Sequence, residues 1–358
     1  MSGVGPFIGR LVDRFSARTV IIPSVLLFGL SVLSLSFLSA HLWHFFTIYV
    51  ALGITCGGTA FVPYAKVVSR WFDRKRGLAL GLSAAGTSLG GFITPSLAQA
   101  LIAAVGWRQA YMLLGLMVIG IVIPVVGLFL KESPQMMGLS PDGETVAHAE
   151  AAKLRDQEEG LSCQEALRTG TFWLMAAAFF FISVSMHGCL LHLSPLLTDR
   201  GVSPQNAALA ASLLGAGSVL GRIAAGYLLD RFFASSVAVC FFGGATLGVV
   251  MLWSGVTGSL AFVAAILLGM GFGAEGDLIA YTVSRYFGLR AFGEIYGYAF
   301  AVFTLAGVIG PPLMGMGFDA TGSYRFVLGG FALATLTAAG LMTRLGPYRV
   351  WKAVAEPA

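Results

Sequence analysis

Apolar residues run through this chain in long unbroken blocks, not in the alternating or two-faced patterns of a water-soluble fold. A helix that crosses a bilayer needs roughly 20 apolar residues. Runs of that kind lie at 20–39, 45–69, 78–103, 109–130, 171–196, 206–229, 236–254, 258–284, 294–317 and 325–345. They predict ten full spans, and the first eleven residues read as the end of another. One long polar stretch, 131–168, interrupts the series and holds eight of the 17 acidic residues. The pattern predicts an all-α polytopic membrane protein. An incomplete helical bundle covers 1–130, a linker 131–168, a second bundle 169–346 and a polar tail 347–358.

The second bundle repeats the first. Gly9-Arg-Leu-Val-Asp-Arg-Phe15 returns as Gly226-Tyr-Leu-Leu-Asp-Arg-Phe232, and Arg70-Trp-Phe72 as Arg285-Tyr-Phe287. Gly81 pairs with Gly297, Pro95 with Pro311, and Trp107-Arg108 with Tyr324-Arg325, always at an offset of 215 to 217 residues. That is far too long for a solenoid. A parallel duplication in an apolar chain is the pattern of a two-halved transporter with pseudo-symmetric bundles. By this arithmetic, the partners of 171–196 and of most of 206–229 would precede Met1. The expectation is an N-terminally shortened chain, either a fragment or a naturally short member.

Composition agrees with a membrane setting. The chain is 57% hydrophobic and only 11% charged, against roughly 25% charged in soluble proteins. Its net charge of +5 reflects topology, not a nucleic-acid partner. If the loop around Arg10–Arg18 is cytoplasmic, only Arg108, Arg200 and Arg325 of the 22 cations fall on the opposite side. This is a strong positive-inside bias. It places the linker and C-terminus in the cytoplasm, with the chain in the cytoplasmic (inner) membrane. The four cysteines form no CxxC pair and read as free thiols. No cleavable signal peptide is expected. Gly271-Phe-Gly-Ala-Glu-Gly276 fits a dinucleotide fingerprint, and Gly86-Thr-Ser-Leu-Gly90 a nucleophile elbow, but both lie inside apolar helices. Small residues that let helices approach closely account for both. No catalytic constellation, metal site or cofactor motif is found, so an enzyme is not expected.

Ionisable groups inside a span are costly, which makes each a functional candidate. Arg222, Glu275 and Asp277 are the three here. Arg222 lies eight residues above Asp230, and Asp277 eight above Arg285, so both sit about 12 Å from the same boundary. They can pair across neighbouring helices. Glu275 and Asp277 point about 200° apart on a helix. Asp277 shares its face with Tyr281 and Ser284, a polar stripe able to line a cavity. His187, deep in 171–196, is a candidate for proton handling or a bonded core histidine; His192 lies nearer the outer end. Lys66 can extend its chain to the interface.

With these residues in hand, the chain resembles the major facilitator superfamily. Gly9-Arg-Leu-Val-Asp-Arg-Phe-Ser-Ala-Arg18 is similar to its signature between the second and third helices. Trp71-Phe-Asp-Arg-Lys-Arg-Gly-Leu-Ala-Leu-Gly-Leu-Ser-Ala-Ala-Gly86 resembles the fifth-helix motif of the monocarboxylate and oxalate/formate transporters. The resemblance implies that Asp13, Arg14 and Arg70, with the repeat partners Asp230 and Arg231, form an ion network holding a cytoplasmic gate shut. Topology anchoring by interfacial charges is the simpler alternative. It also implies that Arg222 meets a substrate carboxylate, with Asp277, Glu275, Tyr281 and His187 as further candidates around it. Ser218 stands where the monocarboxylate branch carries an aspartate, and 294–317 lacks the lysine of the oxalate transporter. The expected function is secondary active transport of a small organic anion by alternating access, with protons as candidate co-substrate. The expected protein is a monomer in the lipid bilayer. Two rivals stand beside it: a proton-coupled exporter of amphipathic compounds, and a membrane sensor that binds without transporting. The exporters' GPxxGG-type run is replaced by Gly90-Gly-Phe-Ile-Thr-Pro95.

Overall fold

A backbone in lipid must satisfy its own hydrogen bonds, and long apolar runs do so as helices. The computed structural model describes residues 5–39, 41–139, 141–143 and 160–348, apart from the side chains of Ser88, Gly91, Phe92, Pro95, Ser96 and Gln99. The linker stretch 144–159 and the tail from 349 on lie outside the described residues. The first half contains α1 (Gly5–Arg14), α2 (Ala17–Ser34), α3 (Leu42–Thr59), α4 (Phe61–Trp71), α5 (Arg76–Val105), α6 (Trp107–Met117) and α7 (Ile123–Phe129). The second contains α8 (Cys163–Leu167), α9 (Gly170–Asp199), α10 (Pro204–Leu229), α11 (Ala234–Trp253), α12 (Ser259–Phe287), α13 (Phe292–Thr321) and α14 (Arg325–Thr343). Nine helical stretches among the described residues have the length and composition to cross a bilayer. The 30-residue α5 has the length of a tenth.

Local chemistry sets the helix ends. Ser16, Thr169 and Ser203 accept hydrogen bonds from Thr19, Phe172 and Asn206 N–H as N-caps. At the far end of α5 the chain turns through Gly106 at φ +79°, and at the far end of α13 through Gly322 at φ +67°. These two glycines are 216 residues apart; both take a positive φ, but only Gly322, with ψ +11°, ends its helix in the left-handed conformation, whereas Gly106 has ψ +161°.

The halves differ at two predicted spans. The run 45–69 is not one helix: it breaks at Ala60, whose extended backbone separates α3 from α4. Pro63 lacks an N–H and sits in the first turn of the new helix, where that N–H would have no partner within the helix anyway. Its repeat partner is Leu278, and α12 runs through unbroken. The predicted span 109–130 also divides, through a π-helical turn at Val118–Val122 just ahead of Pro124.

The loop ends of α1, α4, α10 and α12 and the starts of α5 and α13 gather at one end of the bundle. It carries Arg10, Arg14, Arg70, Arg74, Arg231 and Arg285 and is called the basic end below. The described parts of the linker are bound there. Trp71 donates from Nε1 to the Lys131 carbonyl (2.8 Å), and Arg18 N–H to Glu132 (3.1 Å). Asp142, at φ +60°, accepts from Asp73 N–H (3.1 Å) and Arg74 N–H (2.8 Å). On the other side Leu161 N–H donates to the Phe287 carbonyl (2.9 Å) beside a bridge between Gly160 and Gly288.

Candidate functional site: an intramembrane ion cluster and a closed basic end

Two sets of residues stand out, one inside the bundle and one at its basic end. Small residues build the first. Gly269 and Gly273 of α12 lie against the backbone of Leu214 and Ser218 of α10, so the helices run in close contact. One turn further along, Gly276 lies beside the Arg222 guanidinium: a methyl group there would touch Nη1 at 3.9 Å, an ordinary contact. Arg222 Nη1 meets Asp277 Oδ1 at 3.4 Å, with side-chain exposures of 15% and 1%. At that length the ion pair is longer than a tight charge-assisted hydrogen bond.

The other polar atoms around the pair are under-satisfied. Asp277 Oδ2, both Glu275 oxygens and the Tyr296 hydroxyl are buried without a hydrogen-bond partner among the described residues. Glu275 is 1% exposed and does not share the Arg222 bond. It lies two residues before Asp277 on the same helix. An aromatic wall adjoins the site. His187 lies edge-on to Phe272 (5.2 Å) and Phe303 (5.6 Å), and the stripe continues through Phe300 to Tyr296. The His187 Nδ1 sits 3.0 Å from the Ser183 carbonyl and 3.1 Å from its hydroxyl.

Tyr281 does not join this group. It is 3% exposed, and its hydroxyl donates to the Leu229 carbonyl at 2.7 Å, beneath the Arg285 guanidinium. The structure therefore brings together Arg222 and Asp277, buries Glu275 without a hydrogen bond among the described residues, sets His187 on the aromatic wall, and puts Tyr281 at the basic end. Tyr296 and the α13 aromatics are additions. In sequence they are indistinguishable from ordinary apolar span residues.

At the basic end the two halves meet through paired devices. Asp13, at the end of α1, accepts from Gly293 N–H (3.0 Å) and Glu294 N–H (2.7 Å) in the first turn of α13. Asp230, at the end of α10, accepts from Gly77 N–H (2.6 Å) and Leu78 N–H (2.9 Å) in the first turn of α5. Each carboxylate thus caps a helix of the opposite half, where bare N–H groups and the helix dipole favour an anion. Glycines allow the approach: a methyl group on Gly9 would collide with the Gly293 carbonyl, and one on Gly226 would sit 2.6 Å from the Gly77 carbonyl.

Ion pairs surround both contacts. Arg10 reaches Glu294 at 2.6 Å, and Arg285 reaches Asp73 at 3.1 Å, each across the halves. Lys66, only 6% exposed, pairs with Asp13 at 2.7 Å. Arg14 and Arg231 stay at the surface over the rings of Phe15 and Tyr227, and Arg70 is half-buried one turn beyond Lys66. Cys163, on α8, is buried beside Glu294. Burial pushes its thiol up to about 12, and the neighbouring carboxylate adds to the shift.

A duplicated all-helical bundle, a cation held deep between helices, and halves that cap one another at one end define a two-bundle membrane carrier. The profile of the Major Facilitator Superfamily matches residues 1–311, and the chain belongs to that family, whose members are transporters and not enzymes. It is a multi-pass membrane protein. It is 27% identical over 316 residues to monocarboxylate transporter 12 of Rattus norvegicus, covering 80% of this chain and 64% of the rat protein. An MFS transporter of Aspergillus flavus is 25% identical, covering 88% of this chain and 67% of the fungal one. The chain thus spans about two thirds of the length of these relatives. Among solved structures, the proton:xylose symporter superposes with a TM-score of 0.74 at 15% identity, covering 97% of this chain and 84% of that one. The E. coli fucose:proton symporter gives 0.71 at 15% identity, covering 95% and 86%. At such identities these matches speak for the fold alone.

Proposed function

We propose that this protein carries a small organic anion, monocarboxylate-like, across a cytoplasmic membrane by alternating access, with a proton as co-substrate. The observation that carries the proposal is the 3.4 Å ion pair of Arg222 with a buried Asp277 inside the membrane-spanning bundle. A guanidinium binds a carboxylate through two parallel hydrogen bonds and stays charged when partly desolvated. A substrate carboxylate would take Arg222 from Asp277, and Asp277 or Glu275 would hold the balancing proton. His187 and the neighbouring phenylalanines would bound the apolar part of the substrate. The likeness to a rat monocarboxylate transporter supports the same substrate class.

In this reading residues 1–130 and 169–346 rock as two bundles joined by the linker, with the basic end facing the cytoplasm. Asp13 and Asp230 hold that end shut, so the chain stands closed to the cytoplasm. Uptake of lactate, pyruvate, oxalate, formate and a neutral sugar into proteoliposomes, with and without an inward proton gradient, tests the proposal. Anion uptake should be stimulated by the gradient and fall at least about tenfold in Arg222→Ala, the loss of one charge-assisted bond pair. Uptake unchanged in Arg222→Ala sinks the assignment. Dye efflux without anion flux would point to an exporter of amphipathic compounds, which the aromatic wall would also suit, and saturable binding without flux to a sensor.

A further inference from the structure

The two helices that cross to the opposite half end in the same way. Val12 lies in the last turn of α1 and Leu229 is the last residue of α10. Carbonyls in such positions have no partner within their helix, and in a bilayer an unsatisfied carbonyl is costly. Lys66 of α4 donates from Nζ to the Val12 carbonyl at 2.7 Å. Tyr281 of α12 donates from its hydroxyl to the Leu229 carbonyl, also at 2.7 Å. Val12 and Leu229 are 217 residues apart and Lys66 and Tyr281 are 215 apart, so both pairs are repeat partners. Two unlike side chains therefore make one equivalent bond. In each half it falls on the residue immediately before the aspartate that caps the opposite half.

We propose that Lys66 and Tyr281 are paired positioning residues that lock the last turn of α1 and of α10 to their own half, and so hold Asp13 and Asp230 on the helix starts of the other. The inference rests on the gate described above, not on the identity of the substrate. The grip lies within a half: α1 with α4, and α10 with α12. The cap lies between halves. When the halves part, the caps break and the grips remain, so each aspartate stays aimed for the return. A small rotation of the last turn would pull a carboxylate off two N–H groups at once.

The two grips share their work differently. In the first half one residue supplies both grip and charge, because the Lys66 ammonium also meets Asp13 at 2.7 Å. In the second half Tyr281 supplies the grip and Arg285 the charge: the guanidinium lies over the Tyr281 ring at 5.2 Å and reaches Asp73 of the first half. Each half thus has one cap, one carbonyl grip and one cation, from two residues in the first and three in the second.

Cys163 is a built-in reporter of this gate. The thiolate is the reactive form; Cys163 lies beside Glu294, which pairs with Arg10 across the halves, and its exposure is expected to rise when that pair separates. The full chain, with Cys56, Cys189 and Cys240 changed to Ser and Cys163 kept, would be placed in nanodiscs and its alkylation by a polar maleimide timed. Tyr281→Phe, which removes a single oxygen, should raise the rate about three- to tenfold, the worth of one hydrogen bond. Lys66→Met should raise it at least as much. Tyr281→Lys, which installs the partner half's donor, should bring the rate back towards the parent, a rescue that a merely space-filling role would not give. Gly226→Val, which forces the halves apart, is the positive control.

A parent rate in Tyr281→Phe beside a raised rate in Gly226→Val overturns the inference and leaves the gate standing. An unmoved rate in Gly226→Val overturns the gate and the inference with it. Neither readout needs flux, so a chain that responds as expected but moves no anion overturns only the transport reading.

Discussion

Asp277 has one oxygen on Arg222 and one with no hydrogen-bond partner among the described residues. Breaking a buried pair by removing one partner costs about 3–5 kcal/mol, because the other charge is stranded. Arg222→Ala should therefore lower thermal stability as well as uptake. Adding Asp277→Asn should recover much of the stability and none of the uptake. A thermal shift series on the two single variants and the double variant checks this, and a loss in the double variant equal to the sum of the two single losses would mean the pair is not coupled. The basic-end aspartates make a second prediction. Each supplies a carboxylate cap, and losing a cap costs about 0.5–2 kcal/mol. Asp230→Ala and Asp13→Ala should each speed Cys163 alkylation. Asp13→Ala should carry the larger effect, because it also strands the Lys66 ammonium.

Among the elements, close backbone contact decides which pairs of helices can open. α1 against α13 and α5 against α10 are seated by glycines, and Gly226→Val places side-chain bulk on the Gly77 carbonyl. The expected result is a bundle driven open at its basic end, seen as fast Cys163 alkylation and loss of gradient-driven uptake. α8 offers a pH-dependent element. Ser162 and Glu165 form a capping box, in which the Ser162 N–H first and its hydroxyl second hold the Glu165 carboxyl below its ordinary range. A depressed carboxyl stabilises above the unfolded value of about 4.3 and loses that contribution as pH falls through its folded value. Amide exchange at the start of α8 should therefore quicken below about pH 4, and Glu165→Gln should abolish that pH dependence.

On the scale of the whole molecule, the basic end joins three parts: two bundles and the linker. Asp142 holds the loop at Asp73 and Arg74, and Asp73 in turn holds Arg285 of the other half. Asp142→Ala should loosen that loop and raise the Cys163 alkylation rate by less than Asp230→Ala, since it acts through Asp73 and not directly on a helix start. An effect larger than that of Asp230→Ala would make the linker, not the aspartate caps, the principal closure.

Much of this was legible in the chain. Apolar run length set the spans, because a bilayer has a fixed thickness and leaves the backbone no other partner. The constant repeat offset showed two halves, and the rarity of charge inside spans singled out Arg222, Glu275 and Asp277. What sequence could not decide was direction and contact. Helix geometry sets Glu275 and Asp277 on opposite faces and lets Asp277 reach Arg222, but only the packing of α12 against α10 makes that pair and leaves both Glu275 oxygens without a hydrogen bond among the described residues. Tyr281 shares a helix face with Asp277, yet one further turn along α12 carries its hydroxyl to the end of α10. The break at Ala60 and the seating of Asp13 and Asp230 on distant helix starts were likewise settled in three dimensions. Periodicity fixes which residues share a face, but which neighbour that face meets depends on how the two repeats dock, and the docking surfaces are backbone, which no side-chain pattern records.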